Sequence, residues 1–267
     1  MLSGLRGIVK KFMRERLQYH RISRRLLLET LSRYYKLLGK ESVHFLHIGK
    51  TGGTAIKEAL KHFSEHGNLK IWLHEHEVKL SDIPRGDKVV IFIRDPISRF
   101  VSGFYSRMRQ GRPRYNAPWT PGEAQAFRIF KTPNELAKSL SASDPNLRKA
   151  AVKAMKNIRH VNTFLSDWLI SKEYLLKRRE DILFIGCQES LDQDFEILKK
   201  LLKLPPEITL PKDPVKAHKN PLHVNKNLEE KAVENLRKWY RKDYELYDML
   251  LKVRSEILKK ISERGKS

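Results

Sequence analysis

His44-Phe45-Leu46-His47-Ile48-Gly49-Lys50-Thr51-Gly52-Gly53-Thr54-Ala55-Ile56 is the stretch on which the reading of the chain turns. Its apolar start suits a buried strand, its glycines a turn, and its end the first residues of a helix. A strand that runs through such a turn into a helix aims several backbone N–H groups at one point. The helix dipole favours negative charge at the same point. Lys50 adds a mobile full charge, Thr51 and Thr54 add hydroxyl donors, and Gly52 and Gly53 let an anion approach the backbone closely. The plain alternative is a strand–turn–helix joint with an exposed lysine. The order is not that of the Walker phosphate loop, which ends in Gly-Lys-Ser/Thr. Here Lys50 precedes the glycine pair, so a magnesium nucleoside triphosphate does not follow.

A chain of 267 residues with 40% hydrophobic content can bury a sizeable core, which argues against global disorder. Lysine and arginine number 54 against 31 acidic residues, a net charge of +23. That balance fits nucleic acid, anionic glycans, acidic lipid surfaces or phosphorylated ligands without choosing among them. Cys187 is the sole cysteine, so no intrachain disulfide forms, and its place at the end of an apolar strand suits a buried structural role. Apolar runs fall short of the ~18 residues a spanning helix requires. The N-terminus lacks a signal-peptide core. The expectation is a soluble, cytoplasmic protein.

Residues 1–40 read as a basic helical extension: Leu5, Ile8, Val9, Phe12, Met13 and Leu17 recur at helical spacing among arginines and lysines, and a second run ends near Gly39. Such an extension either packs its apolar face on the main domain, the preferred reading, or makes a peripheral contact with an anionic membrane. The main domain spans 41–267. The spacing predicts a helix over 54–65, strands over 69–73, 88–93 and 182–186, and a helix over 189–202. Several helical pieces fall between 123 and 170, and a final helix runs from Leu228. Strands alternating with helices, one of them the unbroken apolar run Lys88-Val89-Val90-Ile91-Phe92-Ile93, predict an α/β fold with a central parallel sheet.

The third predicted strand ends at Arg94-Asp95-Pro96, followed by Arg99, Ser102 and Phe104-Tyr105. Asp95 suits a helix N-cap and Pro96 the first helical position. Arg94 then lies at the carboxyl end of a strand, where open α/β sheets place ligands. A guanidinium with a serine hydroxyl suits a phosphate monoester, and an Arg94–Asp95 structural pair is the alternative.

Together the two stretches resemble the phosphate-binding motifs of sulfotransferases that use 3′-phosphoadenosine 5′-phosphosulfate. The Lys50-Thr51-Gly52-Gly53-Thr54 turn resembles their 5′-phosphosulfate loop, and the Arg94…Ser102 pattern their 3′-phosphate motif. The resemblance covers roughly residues 43–250. Gly186-Cys187-Gln188-Glu189 and His218-Lys219-Asn220 are similar to weaker family features. The pair His74 and His76, just beyond the second predicted strand, is similar to the carbohydrate-directed branch that contains heparan sulfate 2-O-sulfotransferase.

The resemblance implies a P-loop-like three-layer fold, no metal requirement, and sulfuryl transfer to a hydroxyl, with a glycan as the expected acceptor and no nucleic-acid partner. It implies that Lys50 stabilises the bridging oxygen, and that Thr51, Gly52, Gly53 and Thr54 hold the 5′-phosphate. Arg94 and Ser102 then bind the 3′-phosphate, and Lys219 closes over the nucleotide. Histidine titrates near neutrality and suits the base: His76 first, His74 second, with Glu75 or Glu77 as acidic alternatives. On a strand-like stretch the two histidines share a face. Trp72, Tyr115 and Trp119 suit packing or the acceptor side. The competing readings are a nucleotide-dependent kinase on a related scaffold and a basic protein that binds nucleic acid or membrane.

Overall fold

The computed structural model describes residues 21–213, 215 and 224–264. Its centre is a five-stranded sheet of order β2-β3-β1-β4-β5. The strands are Glu41–Leu46 (β1), Glu65–His66 (β2), Leu69–Leu73 (β3), Lys88–Ile93 (β4) and Ile182–Cys187 (β5). β3, β1, β4 and β5 run parallel, and only the two-residue edge strand β2 is antiparallel. Parallel strands need both faces covered, which the buried runs of β1 and β4 reflect. Helices Leu191–Leu201 and Arg241–Arg264 supply cover: Phe195, Leu198, Leu246, Leu250, Val253 and Ile257 join the sheet residues in one apolar core.

From β1 the chain passes through helix Gly53–Leu60 to β3 on one side, then returns to β4 on the other. The direction of winding therefore reverses at β1. The carboxyl ends of β1 and β4, which carry Lys50 and Arg94, flank that switch point.

A second core lies on the far side of helix Pro96–Met108, where Phe100 and Phe104 meet Phe127, Phe130, Leu136, Met155, Leu236 and Tyr240. Its clamp is a buried bidentate pair. Arg107 donates from Nε to Glu123 Oε1 at 2.6 Å and from a terminal nitrogen to Oε2 at 2.8 Å. Burial alone would raise the Glu123 pKa. The Arg107 hydrogen bond and the N–H groups of Thr120 and Arg159 outweigh it and hold the carboxyl down at about 2. Arg107 also donates to the carbonyls of Ala117 and Pro118, so the pair fixes the loop after the helix. Glu123→Ala strands a buried guanidinium and is expected to cost about 3–5 kcal/mol, read as a lower midpoint in denaturant unfolding.

Two elements differ from the sequence expectation. The helix predicted over 54–65 stops at Leu60, because Ser64 O accepts from Ile71 N at 2.9 Å and draws the following residues onto the sheet edge as β2. The final helix is two, Glu230–Trp239 and Arg241–Arg264, divided where Tyr240 buries its ring and donates to Val161 O. Within the N-terminal 40 residues, helix Arg21–Leu37 is described. It sets Leu28 into the sheet core, its Arg24 donates to Glu77 O and pairs with Asp82, and Tyr35 meets the Trp72 ring edge-on. Asp95 is the N-cap expected, accepting from Ser98 N at 2.8 Å.

Candidate active site

Beyond β1 the backbone turns sharply: Lys50 (φ 69°) and Gly52 (φ 86°) both adopt left-handed conformations. A lysine there is strained and is held by the structure around it. The Thr51 hydroxyl donates to Ile48 O at 2.9 Å and closes the turn, so it is engaged inside the protein and not offered to a ligand as the sequence suggested. Gly53 has a different reason to be glycine. A Cβ there would lie 2.3 Å from His47 Cδ2. Among the described residues, none of the backbone N–H groups from Gly49 to Thr54 finds an acceptor. The first N–H groups of a helix have no partner within it, and joined by those of the preceding turn they form an anion cradle. The Thr54 hydroxyl is likewise without a protein partner among the described residues.

Positive charge crowds this cradle. Arg94 leaves β4 and donates to Lys50 O at 3.4 Å, while its buried Nε has no partner among the described residues. Lys50 is pushed down to about 7, first by desolvation and then by Arg109 and Arg94. No carboxylate pairs with it among the described residues. A bound anion would restore the lost stabilisation and raise that pKa. Affinity for an anion is therefore complete below pH 7 and falls as pH rises through 7 towards the higher pKa of the complex. Calorimetric titration with pyrophosphate is expected to show a decline of up to about tenfold per pH unit above 7, and Lys50→Met to abolish that slope.

The histidines divide into two pairs. The chain leaves β3 at Leu73 and turns at His76-Glu77, so the stretch is not strand-like and His74 and His76 do not share a face. His44 Nε2 lies 3.0 Å from the Asp87 carboxylate and its Nδ1 2.8 Å from His74 Nε2. Burial keeps both rings below the ordinary histidine pKa, His74 most strongly. With neutral rings, His44 donates to Asp87, and His74 uses its Nε2–H on His44. That chain sits within the sheet.

His76 is placed differently. Its Nδ1 is 3.1 Å from His47 O, an acceptor, so Nδ1 carries the proton and Nε2 keeps its lone pair. Trp168 Nε1 donates to His76 O at 2.8 Å and steadies the backbone. Burial lowers the His76 pKa and keeps the ring neutral at physiological pH. The His47 ring packs against it at 3.9 Å between centroids, its own pKa held well down first by burial and further by the nearby cations Lys57, Arg114 and Lys50. His47 was missed by the sequence reading. Its signal was there: β1 and β3 both run out into histidines, and parallel pairing of the two strands sets those histidines side by side.

Other candidates fall in varied places. Ser102 is buried on helix Pro96–Met108, with no hydrogen bond to Arg94. Arg99, in the same pattern, is engaged by Asp243 at 2.7 Å and by Thr163. Both Asp95 oxygens are taken, by Ser98 N and by the Tyr244 hydroxyl at 2.9 Å, and Glu189 accepts from Asp95 N. Glu75 pairs with Lys57 at 2.5 Å. Trp72 packs between His44 and Tyr35, and Trp119 donates to Arg107 O beside Phe127. Cys187 is buried, its thiol pushed up to about 11 by burial. Lys219 lies outside the described residues. An open depression of about 500 Å³, lined by Met108, Arg109, Gln110, Arg112, Pro113 and Trp119, adjoins the cationic cluster through Arg109.

A strand-end cradle of unpaired N–H groups, a depressed lysine and a second cation from the neighbouring strand end together suit an anionic group. The model of the sulfotransferase family matches residues 33–249. The chain belongs to the sulfotransferase family. Its match covers both strand-end motifs, the histidine pairs and the first part of helix Arg241–Arg264, so this sulfotransferase domain extends across both cores. Neither a curated protein nor a solved structure matches the chain. Sulfuryl transfer is thus the reaction class of the domain, and the strand-end site is where its charged groups converge.

Proposed function

We propose that the protein transfers a sulfuryl group from 3′-phosphoadenosine 5′-phosphosulfate to a hydroxyl of a carbohydrate. The observation that carries this reading is the row of unpaired N–H groups from Gly49 to Thr54 beside the desolvated Lys50, with Arg94 at the adjoining strand end. The donor supplies an activated sulfuryl group on a phosphate that leaves as an anion. The Gly52, Gly53 and Thr54 N–H groups, with the Thr54 hydroxyl, hold its 5′-phosphate. Arg94 meets the 3′-phosphate, a group that ATP lacks, and Ser102 requires a ligand-induced adjustment to join it.

His76 Nε2 takes the acceptor's hydroxyl proton as the oxygen bonds to sulfur, and Lys50 neutralises the charge that collects on the bridging oxygen as its bond to sulfur breaks. His74, committed to His44, supports the sheet and leaves the base position to His76. The kinase alternative wants a free carboxylate for magnesium near the turn, whereas both oxygens of Asp95 are committed. Incubating the protein with sulfur-labelled donor and a panel of polysaccharides, in parallel with γ-labelled ATP with and without chelator, tests the reading. Label transferred from the phosphosulfate alone supports it, and chelator-sensitive transfer from ATP alone overturns it.

A further inference from the structure

Helix Arg21–Leu37 is two-faced. Arg24, Leu28 and Ser32 are buried against the domain, while Leu26, Tyr34, Leu37 and the following Leu38 are 58%, 53%, 88% and 54% exposed. Leu26, Arg33 and Leu37, at spacings of seven and four, share the outer face with Tyr34 beside them. Arg33 and Lys36 interleave with these apolar side chains and have no acidic partner among the described residues. The first 40 residues carry eleven lysines and arginines against two glutamates, Glu15 and Glu29, and Glu29 is paired with Arg25 at 3.0 Å. The family match begins at Arg33, so the outer face straddles its start: Leu26 lies before it, and Arg33, Tyr34, Lys36, Leu37 and Leu38 lie within it.

We propose that this outer face docks the protein on an anionic phospholipid bilayer, with the leucines and Tyr34 entering the headgroup boundary and the arginines and lysines meeting lipid phosphates. The combination selects the partner. A nucleic acid or a sulfated polymer satisfies the cations but gives the exposed leucines nothing to enter. A second copy of the chain, in a symmetric contact, would set the same positive face against itself. An anionic bilayer alone offers both negative charge and an apolar boundary within one helix diameter. The described helices include none long and apolar enough to cross a membrane, so the contact is one of lying on the surface.

The test is co-sedimentation of the full chain with vesicles of phosphatidylcholine alone and of phosphatidylcholine mixed with phosphatidylserine, with oligomeric state followed by light scattering. Binding is expected only to the mixed vesicles, weakening with added salt. Leu26→Ser with Leu37→Ser, both on the solvent side and so neutral for folding, is expected to weaken partitioning by about a hundredfold, since each leucine that enters the boundary contributes about a tenfold gain. Arg33→Glu with Lys36→Glu is expected to abolish the preference for phosphatidylserine. Absence of binding at low salt overturns the proposal. So does leucine-independent binding, which would mark a general polyanion site, or a dimer that the leucine variant dissociates. None of these outcomes bears on sulfuryl transfer.

Discussion

Lys50→Ala is expected to lower turnover by about two to three orders of magnitude, the usual loss when one preorganised charge is removed from a developing anion. The position of the lysine decides this. Its backbone is held left-handed between β1 and the following helix, and its ammonium is desolvated beside Arg94 and Arg109. A charge already stripped of water and of carboxylate partners needs no reorganisation when negative charge appears on a bridging oxygen. Binding suffers less than turnover, because the backbone N–H groups of the turn remain. Measured as kcat and as donor affinity, the variant separates the two. An equal loss in both would make Lys50 a binding residue. The same ammonium sets the alkaline side of the pH profile. Because Lys50 titrates at about 7 in the free protein, kcat/KM for the donor declines above that pH, whereas the kcat limb shifts upward once the anion is bound.

His76→Asn is expected to reduce kcat by about two to four orders of magnitude, the range of a positioned general base. Asparagine keeps an N–H for His47 O and removes the Nε2 lone pair, so the fold and the donor cradle stay while proton abstraction is lost. The acidic limb of kcat/KM, which lies below the ordinary histidine value because burial lowers the His76 pKa in the free protein, should vanish with it. His74→Gln is the internal contrast. It disturbs the buried Asp87–His44–His74 chain and lowers the unfolding midpoint, and it leaves the shape of the pH profile unchanged. If instead His74→Gln erased the limb and His76→Asn kept it, the assignment of the base would reverse.

What the sequence showed and what it hid follow from the range over which each feature is determined. The apolar run from Lys88 to Ile93 and the Asp95-Pro96 cap are local, and both stand where read. The glycines of the Lys50 turn were legible as conformational needs, and Gly52 is indeed left-handed. The requirement at Gly53 was not, because it comes from the His47 ring six residues back, across a turn whose path only the fold sets. The division between His74 and His76 was equally hidden. It depends on β3 ending at Leu73 and on the side chain of His44, within β1, reaching His74, a matter of strand pairing between distant segments. Arg99 and Thr51 look ligand-facing in a motif, yet Asp243, 144 residues away, and the Ile48 carbonyl take them up. Spacing gives residue types at a strand end; tertiary partners decide which of their polar groups are left for a ligand.

The central claim, that the Lys50 turn and Arg94 grip two phosphates of one nucleotide, is tested most directly by calorimetric affinities for adenosine 3′,5′-bisphosphate and for 5′-AMP in wild type and Arg94→Ala. The account predicts that the wild type prefers the bisphosphate by about tenfold or more, the worth of one charge-assisted hydrogen-bonded contact, and that Arg94→Ala removes the preference while AMP binding holds. Equal affinities in the wild type, or a preference that survives the substitution, would contradict it.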